Sequence, residues 1–203
     1  MVTLKQAARV MDHVTAYRLW QAPFQRRKFA PIERHNRLRQ VRRVLDVGCG
    51  PGTNSACFAE QDYLGIDVNP DYIEYARRRY GRRFEVADAT QFRPPQDAPF
   101  DFVLLNSLLH HLPTDAVRRM LDALRAVVAP DGHVHIIDLV LPDAAGLPRY
   151  LALNDRGDFS RPLEQWRQIF EEAYETSVLE PFDVCLWGVS LWKLVYFKGK
   201  PRA

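Results

Sequence analysis

No run in the 203-residue sequence approaches the roughly 18 apolar residues of a membrane-spanning helix. Cysteine is scarce. Cys49, Cys57 and Cys185 are odd in number and follow no metal-ligand spacing, which argues against a disulfide framework or a metal site and for a reducing cytoplasm. The opening segment MVTLKQAARVMDHV lacks the apolar core and small-residue cleavage site of a secretory signal, so the expected location is cytoplasmic. Internal repeats and low-complexity linkers are missing too, and the length suits one domain with a full core. One region is also nearly devoid of acid: residues 1–43 hold 11 Lys/Arg against 2 Asp/Glu, whereas the other 160 hold 17 against 23. The net charge of +3 thus hides a basic arm on an acidic body. Such an arm suits a nucleic acid, an anionic lipid surface or an acidic substrate, and equally the solvated face of N-terminal helices.

The patterning that is present falls into two parts. Leu4, Ala7, Met11 and Val14 recur at helical spacing, which predicts an amphipathic helix over about residues 3–21, ended by Pro23. A short second helix is expected to open at Pro31, with Ile32, His35 and Leu38 on one side. From Arg43 strand and helix alternate. RVLDVG, DYLGIDV, RFEVADA, FDFVLLNSLL and HVHIIDLVL read as strands; TNSACFAE, PDYIEYARRRY and PTDAVRRMLDALRAVV read as helices, the last capped by Thr114 and stopped by Pro130 and Gly132. After a loop-rich stretch, 142–161, come a helix, PLEQWRQIFEEAYE, and two strands with no helix between them. The expected fold is α/β: a doubly wound, mostly parallel seven-stranded sheet with an antiparallel edge hairpin, helices on both faces and an N-terminal helical lid. Residues 1–42 would form the basic lid and 43–203 the main domain.

In such a sheet, ligands bind at the carboxyl ends of strands near the point where strand order reverses. VLDVGCGPGTN, residues 44–54, ends the first strand there. A structural turn needs one or two glycines, and Gly48, Gly50 and Gly52 exceed that need. The spacing is G-x-G-x-G rather than the G-x-G-x-x-G of dinucleotide sites, and Asp46 beside it would repel a pyrophosphate while suiting an ammonium or sulfonium. Asp67 ends the second strand, 19 residues after Gly48, where a carboxylate can accept ribose hydroxyl protons; Asp88 follows the third, where it can accept from an adenine amino group. Three acids after three successive strands form one pattern.

This ordered set resembles the class I methyltransferases that use S-adenosylmethionine (SAM). VLDVGCGPGTN is similar to their glycine-rich first motif, YLGIDVNPDYIEYAR to the second and FEVADAT to the third. FDFVLLNSLLHHLP and LRAVVAPDGHVHIID are similar to the fourth and fifth strands, so the resemblance covers about residues 43–141. It implies SAM as cofactor and no metal. Gly48, Cys49 and Gly50 would contact the methionine part through backbone atoms, and Asp46 would hold its ammonium. Asp67 would bind the ribose, Val68 would pack on adenine, and Asp88 with the Ala89 amide would read the adenine edge. Asn106 would sit near the methionine amine or the reacting methyl.

SAM carries its own leaving group, so such an enzyme mainly aligns a nucleophile, and a hydroxyl or ammonium acceptor also needs a base. His110 and His111, after the fourth strand, are the candidate bases, with a structural role as the alternative for either. His133 and His135 share a face at the far end of the fifth strand, where a structural role is expected; Asp138 lies nearer the site. Tyr17 and Trp20 suit a lid over the cofactor, by cation–π contact or as an apolar seal. Arg149, Tyr150, Asn154, Asp155 and Arg156 are the expected substrate contacts. The expected acceptor is a small molecule methylated on O or N, because no appended module suggests a macromolecule. RNA or an anionic lipid docked by the basic arm is the alternative, and non-catalytic SAM binding a third.

Overall fold

The computed structural model describes residues 24–93, 99–155 and 157–202. The expected helix over 3–21, with Tyr17 and Trp20, lies outside them, as does Arg156. Residues 24–35 are helical (α1). Pro31 therefore lies inside this helix rather than at its start. Phe24, Phe29 and Ile32 on α1 are buried, and that packing outweighs the backbone bond a proline cannot donate.

The elements then follow in alternation: β1 (Arg43–Val47), β2 (Asp62–Asp67), α2 (Pro70–Tyr80), β3 (Arg83–Val86), β4 (Phe100–Asn106), α3 (Thr114–Arg125), β5 (Val128–Val140), α4 (Leu147–Leu153), α5 (Leu163–Ala173), β6 (Tyr174–Leu186) and β7 (Val189–Pro201). They build one seven-stranded sheet in the order β3-β2-β1-β4-β5-β7-β6. Strands β1 to β5 are parallel; β7 runs antiparallel to both β5 and β6. The order reverses between β1 and β4, which sets the switch point at the glycine loop. Two apolar layers cover the sheet. On one face Val117, Leu121 and Leu124 of α3 and Trp166, Ile169 and Phe170 of α5 pack on Leu45, Val103, Ile136 and Phe197. On the other, α1, Ile73 and Ala76 of α2 and Ala152 of α4 pack on Val44, Phe102, Ile137 and Tyr196.

Local signals explain α2 well. Asn69 caps it by accepting from the Asp71 and Tyr72 amides, Pro70 opens it, and Gly81 closes it in the left-handed region. Three other expectations are corrected. TNSACF is a 3-10 turn over Thr53–Phe58 rather than an α-helix. Thr114 does not cap α3: Pro113 stands at the cap, and the Thr114 hydroxyl instead accepts from Arg161 at 3.2 and 3.3 Å. The helix ends at Arg125, and Pro130 and Gly132 lie within β5, where the pairing with β4 shifts register between Phe100 and Phe102. A bulge of this kind tolerates proline in a strand. The stretch 142–161 contains a helix of its own, α4.

Candidate active site

The loop after β1 carries Gly48, Gly50 and Gly52 at φ +66, +53 and +81, all in the left-handed region that favours glycine. Their surroundings differ. A Cβ on Gly52 would lie 2.8 Å from the Phe84 ring and 2.9 Å from the Ala76 methyl, so this glycine lets the loop pack on α2 and β3. A Cβ on Gly50 would meet nothing within 4 Å among the described residues. The middle glycine faces open space, the property of a cradle for a ligand.

Hydrogen bonds fix the loop over β2. The Cys49 amide donates to Ile66 O at 3.0 Å, and the Gly50 amide to Asp67 Oδ2 at 2.9 Å. The other Asp67 oxygen accepts from the Asn69 amide at 2.8 Å. Cys49 is buried, and burial together with Asp46 and Asp67 pushes its thiol far above the ordinary range, so it is no nucleophile. Val68 is 69% exposed beside Asp67, an unusual place for an apolar side chain and one suited to covering by a ring. Asp88 is exposed, accepts from the Thr90 amide and hydroxyl at 2.8 Å each, and precedes the buried Ala89.

Asp46 lies beneath the loop and is fully buried. Its carboxylate accepts from the Tyr63 hydroxyl at 2.6 Å and from Asn54 Nδ2 at 3.1 Å. Burial pushes its pKa up to about 7, against the pull of those two hydrogen bonds. The network continues outward. Asn106 Nδ2 donates to Asn54 Oδ1 at 3.1 Å, Ser107 Oγ to Asn106 Oδ1 at 3.2 Å, and Lys28 Nζ to Ser107 Oγ at 3.3 Å. A single polar chain thus links α1 and the end of β4 to Asp46 at the end of β1.

His110 and His111 follow β4 in a 3-10 turn and occupy different environments. His110 is buried, with Nδ1 2.6 Å from Asp138 Oδ1 and Nε2 3.1 Å from Asp155 Oδ2. Burial opposes its charge, but the Asp138 and Asp155 carboxylates prevail and push its pKa up to about 9. An imidazolium held this way has no lone pair with which to take a proton. His111 is exposed and stacks obliquely on His110 at 4.2 Å between ring centroids. Asp138 also accepts from the Leu109 and Leu139 amides at 2.7 Å each, so it anchors the whole turn.

Arg161 completes the anchorage from the other side. Buried over the Trp166 ring, it donates to Leu109 O, Leu112 O, Phe159 O and Thr114 Oγ1. His135, by contrast, stacks on Phe102 at 3.6 Å and bonds the Tyr196 hydroxyl at 3.0 Å, away from the loop, in a packing role.

The structure forms two hydrogen-bonded groups at the loop, Gly50 with Asp67 and Asp46 with Asn54 and Asn106. Lys28, Asn54, Tyr63 and Arg161 were not singled out from the sequence. Lys28 is one of many cations in the basic arm, and a buried polar partner such as Tyr63 leaves no periodic mark. Asn54 had a faint signal, as a polar residue closing the glycine motif.

Residues 44–132 match the family model described as a methyltransferase domain. Over that stretch the chain is similar to methyltransferase domains, and its fold is that of solved SAM-dependent methyltransferases. A trans-aconitate 2-methyltransferase of Rhizobium leguminosarum bv. trifolii (strain WSM2304) is 29% identical over 141 residues, covering 66% of this chain and 50% of the relative. The O-methyltransferase cnsE of Penicillium expansum is 35% identical over 126 residues, covering 55% of this chain and 44% of its own. The chain spans about half the length of the curated relatives it matches. Among solved structures, the N-methyltransferase NodS of Bradyrhizobium japonicum WM9, in complex with S-adenosyl-L-homocysteine, superposes at a TM-score of 0.65 with 20% identity over 89% of each chain. That likeness is one of fold. The chain thus has its glycine loop and its Asp67 where the fold puts ligands.

Proposed function

We propose that the protein transfers the methyl group of SAM to an O or N atom of a small-molecule acceptor. The observation that carries the proposal is the loop after β1: Gly50 opens onto free space while Asp67, bonded to its amide, holds the loop in place. The donor set fits the cofactor. Asp67 and Asp88 supply anionic acceptors for ribose hydroxyls and the adenine amino group, Val68 an apolar surface for the ring, and Ala89 an amide for its edge. The Cys49 and Gly50 amides are bonded within the protein, and so are the Cys49 carbonyl, which accepts from the Gly52 amide at 3.0 Å, and the Gly50 carbonyl, which accepts from Cys49 Sγ at 3.6 Å, so the Gly48 carbonyl is the loop acceptor offered to the ammonium of the methionine part. Asp46 lies beneath, joined to this side of the site through Asn54 and Asn106, and adds its charge above about pH 7.

When bound, SAM supplies a methyl group on a sulfonium leaving group. The chain's own residues then align the acceptor, a contribution of up to about 7–11 kcal/mol to the barrier in well-oriented systems. Asn106 and Ser107 line the end of β4 where the acceptor would approach. His110 acts as a positioning residue: held as a cation between Asp138 and Asp155, it fixes the 109–112 turn. His111, exposed on that turn, is the candidate general base. The matches to an O-methyltransferase and to a trans-aconitate methyltransferase support a small acceptor.

The test is incubation with methyl-labelled SAM and an extract of the source cells, followed by separation of aqueous small molecules, lipids and macromolecules. Label in the small-molecule fraction is expected. Label confined to nuclease-sensitive polymer or to lipid would overturn the proposal and make the basic arm a docking element.

A further inference from the structure

We infer that the acceptor carries an anionic group, a carboxylate being the simplest, and that Lys28 is the residue that recognises it. The inference rests on the methyl-transfer reading above. Lys28 belongs to α1, which Phe24, Phe29 and Ile32 fix against the sheet. From there its ammonium reaches the end of β4 and donates to Ser107 Oγ at 3.3 Å. Ser107 holds φ +56, a strained value for a residue with a side chain, and in turn donates to Asn106. Lys28 thus stands two hydrogen bonds from the Asn106 side chain.

The balance of charge around it is uneven. Among the described residues, the charged groups gathered here are Lys28, His110, Arg161, Asp138 and Asp155. Both carboxylates are engaged by His110, at 2.6 and 3.1 Å. Arg161 donates to three carbonyls and a hydroxyl. Lys28 has only the neutral Ser107 hydroxyl within hydrogen-bond distance among the described residues. Both carboxylates that act on Lys28 are therefore bonded to His110, and its ammonium is half-buried. Burial pulls its pKa down to about 8 in spite of Asp155 and Asp138 nearby. A partly desolvated ammonium is costly without a counter-ion, and an anion arriving with the acceptor offsets that cost in the one place where orientation matters. A neutral or cationic acceptor would leave the ammonium uncompensated or repelled.

The experiment separates low-molecular-weight extract on an anion exchanger into retained and unretained pools. Each pool is incubated with the full chain and methyl-labelled SAM, and the active pool is then titrated against Lys28→Met and Lys28→Arg. SAM binding to each variant, measured by calorimetry, checks the fold and the cofactor site independently of activity. Label arising from the retained pool is expected, with the acceptor KM of K28M raised about tenfold or more, largely recovered in K28R, and SAM affinity unchanged. Label only from the unretained pool would overturn the anionic acceptor while leaving methyl transfer intact. An unaltered KM in K28M with the retained pool would overturn the role of Lys28. Were K28M to lose SAM binding through misfolding, the two pools with the unaltered chain would still decide the charge of the acceptor. No label from either pool would remove the small-molecule reading and this inference together.

Discussion

The Gly50 amide donates to Asp67 Oδ2 at 2.9 Å, so the residue that would bind the ribose also holds the cradle for the methionine end. One carboxylate thereby couples the two halves of the cofactor site. Asp67→Ala removes the ribose acceptor and frees the loop at once. Its SAM dissociation constant should rise at least tenfold, at about 1.5–3 kcal/mol for hydrogen bonds to a charged group. Asp67→Asn keeps one oxygen for the Gly50 amide and should lose less. Calorimetric titration with SAM distinguishes the two, and equal affinity in all three proteins would refute the ribose role.

The glycines of the loop should separate cleanly by mutation. Gly50→Ala places its Cβ in open space at φ +53, so it costs only the left-handed strain of about 1–2 kcal/mol in stability while intruding on the cradle. Gly52→Ala drives a methyl into Phe84 and Ala76 at 2.8 and 2.9 Å, adding overpacking to the same strain. The expected outcome is reduced SAM affinity with modest destabilisation for the first, and the lower denaturation midpoint for the second. Urea melts paired with SAM titrations check both.

Much of this site was legible in the sequence because its parts are local. A strand that ends at Val47, a loop that needs left-handed residues and an acid at the next strand end all leave marks within a few positions. The mostly parallel seven-stranded sheet with its antiparallel edge pair followed from the same alternation. What the sequence concealed is non-local. Pro31 reads as a helix start because proline favours that position, yet three buried side chains around it hold it inside α1. Pro130 and Gly132 read as a helix stop, but they belong to a strand whose bulge depends on its partner β4. His110 reads as a base from its position; only the carboxylates brought to it by β5 and the 142–161 stretch, Asp138 and Asp155, turn it into a fixed cation.

Two buried groups should make stability fall as pH rises. Asp46 has its pKa raised by burial from 3.8 to about 7, so between those values the unfolded chain loses a proton that the native one keeps. Its contribution should decline across that window by at most about 4 kcal/mol, opposed by His133 and His135, whose pKa values burial lowers, so the difference between the unaltered protein and Asp46→Asn isolates it. His110 is raised by its carboxylates from 6.5 to about 9, so its contribution is full below 6.5 and is lost as pH climbs through 9. His110→Gln should remove that second phase alone. Urea melts at several pH values resolve the two windows, and a pH profile left unchanged by Asp46→Asn and by His110→Gln would contradict both assignments.

Arg161 offers the sharpest test of how the acceptor side is held. Its guanidinium is buried, and it ties three backbone carbonyls, of Leu109, Leu112 and Phe159, to the Thr114 hydroxyl and the Trp166 ring. Arg161→Ala takes away the donor to the Leu112 and Phe159 carbonyls, while Leu109 O keeps the Leu112 amide at 3.1 Å, at a cost of about 3–5 kcal/mol. Arg161→Lys retains the charge but cannot span the fork of acceptors, and it should recover less than half of the loss. Because the 109–112 turn is what these bonds fix, the lysine variant should keep its SAM affinity, raise the acceptor KM and expose the His110 region to faster amide exchange. Hydrogen exchange at the Leu109 and Phe159 amides is the direct readout. Unchanged protection there would mean that Asp138, which accepts from the Leu109 amide at 2.7 Å, is enough to hold the turn by itself.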